Sequence, residues 1–180
     1  LSLHDALPIY KTVTKSVMNS ANTKTDASKL VETPDKIYEY LNVETNRTSV
    51  LKKAVSLNKG SQKGVTIYLL SEILRLNSID IPTHISNVDQ LMKCLISMHW
   101  KKNNDFNQLK KGDICFTTDM PQKLGVPSHT YVFMGWVEQG KTDYAYVCDG
   151  QIEQYGNILH KRNISITTTK NDKFNFFLRQ

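Results

Sequence analysis

Few residues in this chain can do chemistry, and they are unevenly spread. His129 opens an otherwise apolar stretch, HTYVFMGWVE. An imidazole there can take and return a proton near neutral pH; the alternative is a surface histidine following Pro127-Ser128. Asp149 belongs to an Asp-Gly dipeptide, which serves either as a carboxylate partner or as a turn. His160 heads HKRNISITTT and reads as structural or exposed, while His84 and His99 flank helical segments with no partner in view. The three cysteines, Cys94, Cys115 and Cys148, lie among apolar residues and read as small buried hydrophobes, although Cys148 neighbours Asp149. Their odd number and irregular spacing argue against a disulfide framework, and no C-x-x-C pair suggests zinc. No His/Cys/Asp spacing resembles a ligand set, so neither a metal nor another cofactor is expected.

The elements that must position these groups change character part-way along the chain. Thr33-Pro34-Asp35 starts a short amphipathic helix with Ile37, Tyr38 and Leu41 on one side. Thr48 or Ser49 is expected to cap a second helix, carrying Val50, Leu51, Ala54, Val55 and Leu57 and broken by Asn58-Lys59-Gly60-Ser61. GVTIYLLSEILRLNSIDIP carries two adjacent apolar seams, Ile67/Leu70/Leu74 and Leu69/Ile73/Leu76, which predicts a largely buried helix closed by Asn77-Ser78. Ser86-Asn87-Val88-Asp89 starts another helix with Leu91, Met92, Leu95 and Ile96, ending near His99-Trp100. The period then becomes alternating. LKKGDICFTT is a turn and strand; HTYVFMGWVE and KTDYAYVCDG form a hairpin around Gly140-Lys141; HKRNISITTT and FNFFLR complete about five strands. Helices first and an antiparallel sheet second predict an α+β domain.

This order resembles the NlpC-type cell-wall peptidases and the CHAP amidases, which share a papain-like core. LKKGDICF (residues 109–116) matches their turn and strand, SHTYVFMGW (128–136) their histidine strand, and AYVCDGQ (145–151) the place of an orienting residue. TIYLLSEILRLNSIDIP matches their cysteine helix in length and in its Ile-Asp-Ile-Pro exit. The resemblance covers roughly residues 48–180 and implies a papain-like fold, with N-terminal helices packed on the sheet. It also implies His129 as base and Asp149 as the group orienting it, with Gln151 as the alternative, and Gln62 as an oxyanion candidate. Such a site works because a helix dipole and a nearby imidazole stabilise a thiolate at the helix N-terminus. Counting back from the helix exit, however, puts Thr66 where the family has its cysteine, and Val65 where many members have aspartate. A threonine hydroxyl is a weak nucleophile unless a base activates it. Otherwise Thr66 is a helix-start residue whose hydroxyl caps a backbone N–H.

The bulk properties are compatible with several partners. At 180 residues, 39% hydrophobic and 22% charged, the chain suffices for one packed domain. No run approaches the roughly 18 apolar residues of a membrane span. A formal net charge of +6 suits an anionic partner such as a teichoic-acid wall, nucleic acid or anionic lipid, or belongs to a protein that is simply basic. Residues 48–180 are expected to form the domain and 1–47 an N-terminal segment. Within that segment, LSLHDALPI (1–9) resembles a translated sequencing adapter, and 11–27 is rich in Ser, Thr, Asn and Lys, as in a linker or weak strand pair. LSLHDALPIY has neither the basic start nor the long apolar centre of a secretion signal, and the true start is expected to be truncated.

Three functional readings are compatible with these features. The first is a peptidoglycan amidase or endopeptidase weakened or silenced by Thr66. The second is a non-catalytic domain that binds wall peptides or a partner. The third is a basic nucleic-acid-binding module in which Tyr131, Phe133, Tyr144 and Tyr146 make a stacking surface. The family resemblance favours a peptide or peptidoglycan partner and an extracellular or cell-wall location, and a monomer is expected.

Overall fold

The computed structural model describes residues 31–180. The expectations for residues 1–9 and 11–27 lie outside them. Four helices come first: α1 (Thr33–Asn42), α2 (Glu44–Leu57), α3 (Thr66–Leu76) and α4 (Val88–Ser97). Then come β1 (Lys101–Asn103), a single 3-10 turn, β2 (Ile114–Thr117), β3 (Thr130–Trp136) and β4 (Tyr144–Cys148). A one-turn α5 (Ile152–Tyr155), β5 (Leu159–Asn163) and β6 (Phe174–Arg179) complete the chain. The strands form one six-stranded sheet in the order β1-β6-β2-β3-β4-β5, with every neighbouring pair antiparallel.

The expected α+β class holds, with one strand more than anticipated. β1 is a Lys-Lys-Asn segment without apolar alternation, and only its pairing with β6 makes it a strand. β5 is shorter than HKRNISITTT, since the chain leaves the ladder from Ile164 onward. Helix starts also differ. α2 begins at Glu44 after the single residue Val43, so Thr48 and Ser49 lie inside it, and the Thr48 hydroxyl donates to the Glu44 carbonyl. The boundary anticipated between residues 47 and 48 therefore falls within a helix. The compact unit spans Val31–Gln180, and α1 contributes Ile37 and Leu41 to its core.

The sheet is apolar on both faces because side chains alternate along each strand. Ile114, Phe116, Val132, Met134, Cys148, Phe176 and Leu178 meet the helices. Cys115, Tyr131, Phe133, Ala145, Val147 and Phe177 form a second cluster, with Ile164, Phe174, Phe106 and Trp136 packed on it. α3 is the central helix. Leu69, Leu70, Ile73 and Leu74 are fully buried, but the end of the second seam emerges, with Leu76 half exposed. Ile96 of α4 also faces outward, whereas Leu91, Met92 and Leu95 are buried.

Two glycines set the spacing of these layers. Gly112 precedes β2 at φ +92°, and a Cβ there would lie 1.8 Å from the Pro34 carbonyl oxygen of α1. Its N–H donates to the Phe133 carbonyl at 2.7 Å. Gly150 follows β4; a Cβ on it would lie 2.6 Å from the Thr66 backbone nitrogen. The end of β4 thus reaches the first residue of the central helix only because position 150 has no side chain.

Candidate functional site

β3 and β4 pair with Val132 opposite Cys148. Beyond that pair, toward the start of β3 and the end of β4, come His129 and Asp149. Strand pairing therefore brings together two residues 20 positions apart. The His129 backbone is fixed as well. Its N–H donates to Thr117 Oγ1 at 2.8 Å, and its carbonyl accepts from the Thr117 N–H at 3.1 Å. Thr117 Oγ1 lies 2.8 Å from Ser128 Oγ, which donates to Asp172 Oδ2 at 2.5 Å.

The His129 ring meets Asp149 through Nε2, 2.8 Å from Oδ2. Asp149 is fully buried, whereas the His129 side chain keeps 16% of its exposure. Burial alone would raise the Asp149 carboxyl. The His129 hydrogen bond and charge outweigh it, with help from His160 and the Gln151 N–H, and hold the group below the usual carboxylate range. An ionised carboxylate only accepts hydrogen bonds, so Nε2 carries a proton, which in the neutral ring leaves the lone pair on Nδ1.

Thr66 is the first residue of α3 and is 9% exposed. Its hydroxyl does not cap its own helix. Instead, Thr66 Oγ1 accepts from the Gly150 N–H at 3.2 Å, tying the helix start to the residue after Asp149. Thr66 and His129 line one cleft of about 270 Å³ together with Gln62, Gly150, Gln151 and Gln154. A second cleft of about 490 Å³ is lined in part by Ile67, Val88, Met120, Lys123, Val126 and Ser128. Ile67 follows Thr66 in the chain and Ser128 precedes His129, but the two clefts share no lining residue.

The structure thus gathers Thr66, His129, Asp149, Gln151 and Gln62 at one end of the sheet. Gln151 does not touch the histidine. Its N–H donates to Asp149 Oδ1 at 2.8 Å, and its side-chain oxygen accepts from Arg162 Nη1 at 2.5 Å. Exposed Gln62 joins through its place in the cleft.

Two functional-site neighbours were missed. His160, expected to be structural or exposed, is buried with Nε2 3.8 Å from Asp149 Oδ1. Burial holds its imidazole below the ordinary histidine range despite the pull of Asp149. Arg162, 2% exposed, places Nη1 3.7 Å from Asp149 Oδ2. The available signal was their i, i+2 spacing on β5, which puts both on the face shared with Ala145 and Val147.

The remaining candidates lie apart from this chemistry. His84 and His99 are exposed. Cys115 and Cys148 are fully buried, and burial pushes the Cys115 thiol well up and the Cys148 thiol to about 12. The aromatic stacking surface does not form. Tyr131 and Phe133 are buried in the second cluster, while Tyr144 and Tyr146 are exposed on the opposite face of the sheet. Among the described residues, no helix is long and apolar enough to cross a membrane.

No protein-family model, curated protein or solved structure matches this chain.

Proposed function

We propose that residues 31–180 are a papain-like domain of the NlpC/CHAP kind. In this reading it binds the peptide part of peptidoglycan, or a similar peptide, with its hydrolytic power largely lost at Thr66. The observation that carries this reading is the 2.8 Å bond from His129 Nε2 to the buried Asp149 carboxylate, in the cleft that also holds the first residue of the central helix. A base with a fixed tautomer and a helix N-terminus facing one cleft are the parts an amide-cleaving cysteine site needs.

Thr66 is the missing part. Its hydroxyl is far less acidic than a thiol, and its oxygen already accepts the Gly150 N–H. With cysteine at this position, His129 Nδ1 would take the thiol proton. The thiolate would attack the amide carbon, the C–N bond would break, and the leaving amine would take the proton from His129. Water would then hydrolyse the thioester, regenerating the thiol. Threonine leaves binding in place and removes the first step.

Thr66→Cys tests this. The wild-type chain is expected to bind soluble peptidoglycan peptides without turnover. The Thr66→Cys variant is expected to hydrolyse them at least about 10²-fold faster than wild type, and to lose that gain when His129→Ala is added. Wild-type turnover lost on His129→Ala would instead make this an active hydrolase. A folded Thr66→Cys protein that stays inert, reacts with iodoacetamide no faster than wild type and binds no peptide would overturn the proposal.

A further inference from the structure

The Asp149 carboxylate has more cationic neighbours than a two-residue pair requires. Oδ2 accepts from His129 and lies 3.7 Å from Arg162 Nη1. Oδ1 accepts the Gln151 N–H and faces His160 Nε2 at 3.8 Å. His160 Nε2 and Arg162 Nε are both buried without a hydrogen-bond partner. Unpartnered polar atoms of this kind are costly and call for an explanation.

We propose that His160 and Arg162 are positioning residues that govern the proton on His129 through Asp149. The proposal rests on reading His129–Asp149 as the working pair of the site.

Each residue has a distinct part. Arg162 is a permanent charge. It stacks over the Tyr131 ring at 5.2 Å, its Nη1 holds the Gln151 side chain at 2.5 Å, and its Nη2 donates to the Asp172 carbonyl at 3.2 Å. Gln151 in turn gives its N–H to Asp149, so Arg162 fixes both the carboxylate's charge environment and its orientation. His160 is a conditional charge. Its ring lies flat on Tyr155 of α5, centroids 3.8 Å apart and planes 9° apart. Its Nδ1 lies 3.3 Å from the Asn157 carbonyl, which only accepts, so the neutral ring carries its proton there. Nε2 then presents a lone pair to Oδ1, consistent with the 3.8 Å separation. The groups facing His160 are Asp149 beyond β4, His129 before β3, Arg162 on its own strand and Tyr155 on α5.

The consequence is a shared carboxylate. While His160 is neutral, the Asp149 carboxylate has one imidazole donor, His129 Nε2, beside the standing charge of Arg162. When His160 takes a proton at Nε2, it gains a donor toward Oδ1 and becomes a second imidazolium on the same carboxylate. The two rings then titrate as a coupled pair. Burial keeps His160 on the neutral side near neutral pH, so the single-donor arrangement belongs to that range.

The experiment is an imidazole NMR titration of the full chain, following the His129 ring. In wild type, the His129 resonance should carry a second inflection at the pH where His160 titrates. His160→Phe keeps an aromatic ring beside Tyr155 and should leave a single inflection. Arg162→Gln removes the standing charge beside Asp149 and should move the pH at which the His129 ring resonance changes. If His160→Phe does not fold, His160→Gln replaces it, and the wild-type curve is itself decisive. Independent single-step curves for the two rings in wild type, or an unmoved His129 curve in folded Arg162→Gln, would overturn the proposal. Because the readout is a ring proton, an inert Thr66→Cys protein leaves this result standing.

Discussion

Asp113 and Asp149 are both fully buried, and each has an arginine nearby, yet they are held in opposite ways. Asp113 is saturated by short bonds. Arg179 grips it with Nε at 2.7 Å on Oδ1 and Nη2 at 2.6 Å on Oδ2, and the Lys110 N–H adds 2.7 Å on Oδ2. That ties the turn before β2 to the end of β6, and the turn's Gly112 to α1 and β3. Asp149 has two short bonds, and its other two neighbours stand off at 3.7 and 3.8 Å. One of its short partners is a histidine that opens onto a cleft. A carboxylate held by three short bonds from a guanidinium and a backbone N–H serves geometry, whereas one held by a histidine, with a second imidazole standing off, can respond to protons. The difference separates a structural ion pair from a candidate site even though burial is equal.

The comparison can be broken by variants at the two aspartates. In the Thr66→Cys background, Asp149→Asn is expected to lower turnover about 10²-fold or more with little change in melting temperature, since it disturbs the His129 tautomer. Asp113→Asn should do the reverse, lowering stability while leaving turnover per folded molecule unchanged. Arg179→Ala would leave Asp113 buried and unpaired. It should cost about 3 kcal/mol in urea unfolding, and a neutral result would remove the distinction. Gly150→Ala forces a methyl against the Thr66 backbone and Val65. It is expected to cost about 2 kcal/mol and to displace the helix start from the cleft, read as lost Thr66→Cys activity.

The smallest effect concerns pH. The folded-state pKa of His160 is lowered by burial, so the unfolded chain takes up its proton first on acidification. Stability from this residue is complete above the ordinary value of about 6.5 and falls as pH drops below it, by at most about 1.4 kcal/mol per pH unit. Asp149 is also held low, so its contribution is complete above the ordinary carboxylate range and is lost at more acid pH. His160→Phe should therefore flatten the melting temperature between pH 6.5 and the carboxylate range, by about that slope, and leave the more acid fall in place.

Much of the fold was legible because it obeys local periods. Most of the α3 seams, the start of α4 within Ser86-Asn87-Val88-Asp89, and the hairpin joining β3 and β4 lie where apolar spacing and turn residues put them. β1 was not legible, since Lys-Lys-Asn has no pattern and borrows its ladder from β6. Nor was the α2 start, where Val43 supplies no capping side chain. In the site, His129 stood out because it opens an otherwise apolar stretch. His160 did not, because its strand is short and mixed, and its meaning depends on which residue lies across the sheet.

The sequence by itself determined the element types, the helix-then-sheet order and the residues able to do chemistry, because periodicity and side-chain identity are local properties. Only the tertiary structure decided which of those residues meet. Strand pairing carried His129 to Asp149, β5 brought His160 and Arg162 to the same carboxylate, and a glycine let Thr66 approach from α3. Those are contacts between distant segments, set by register and close packing, and no local pattern encodes a distance.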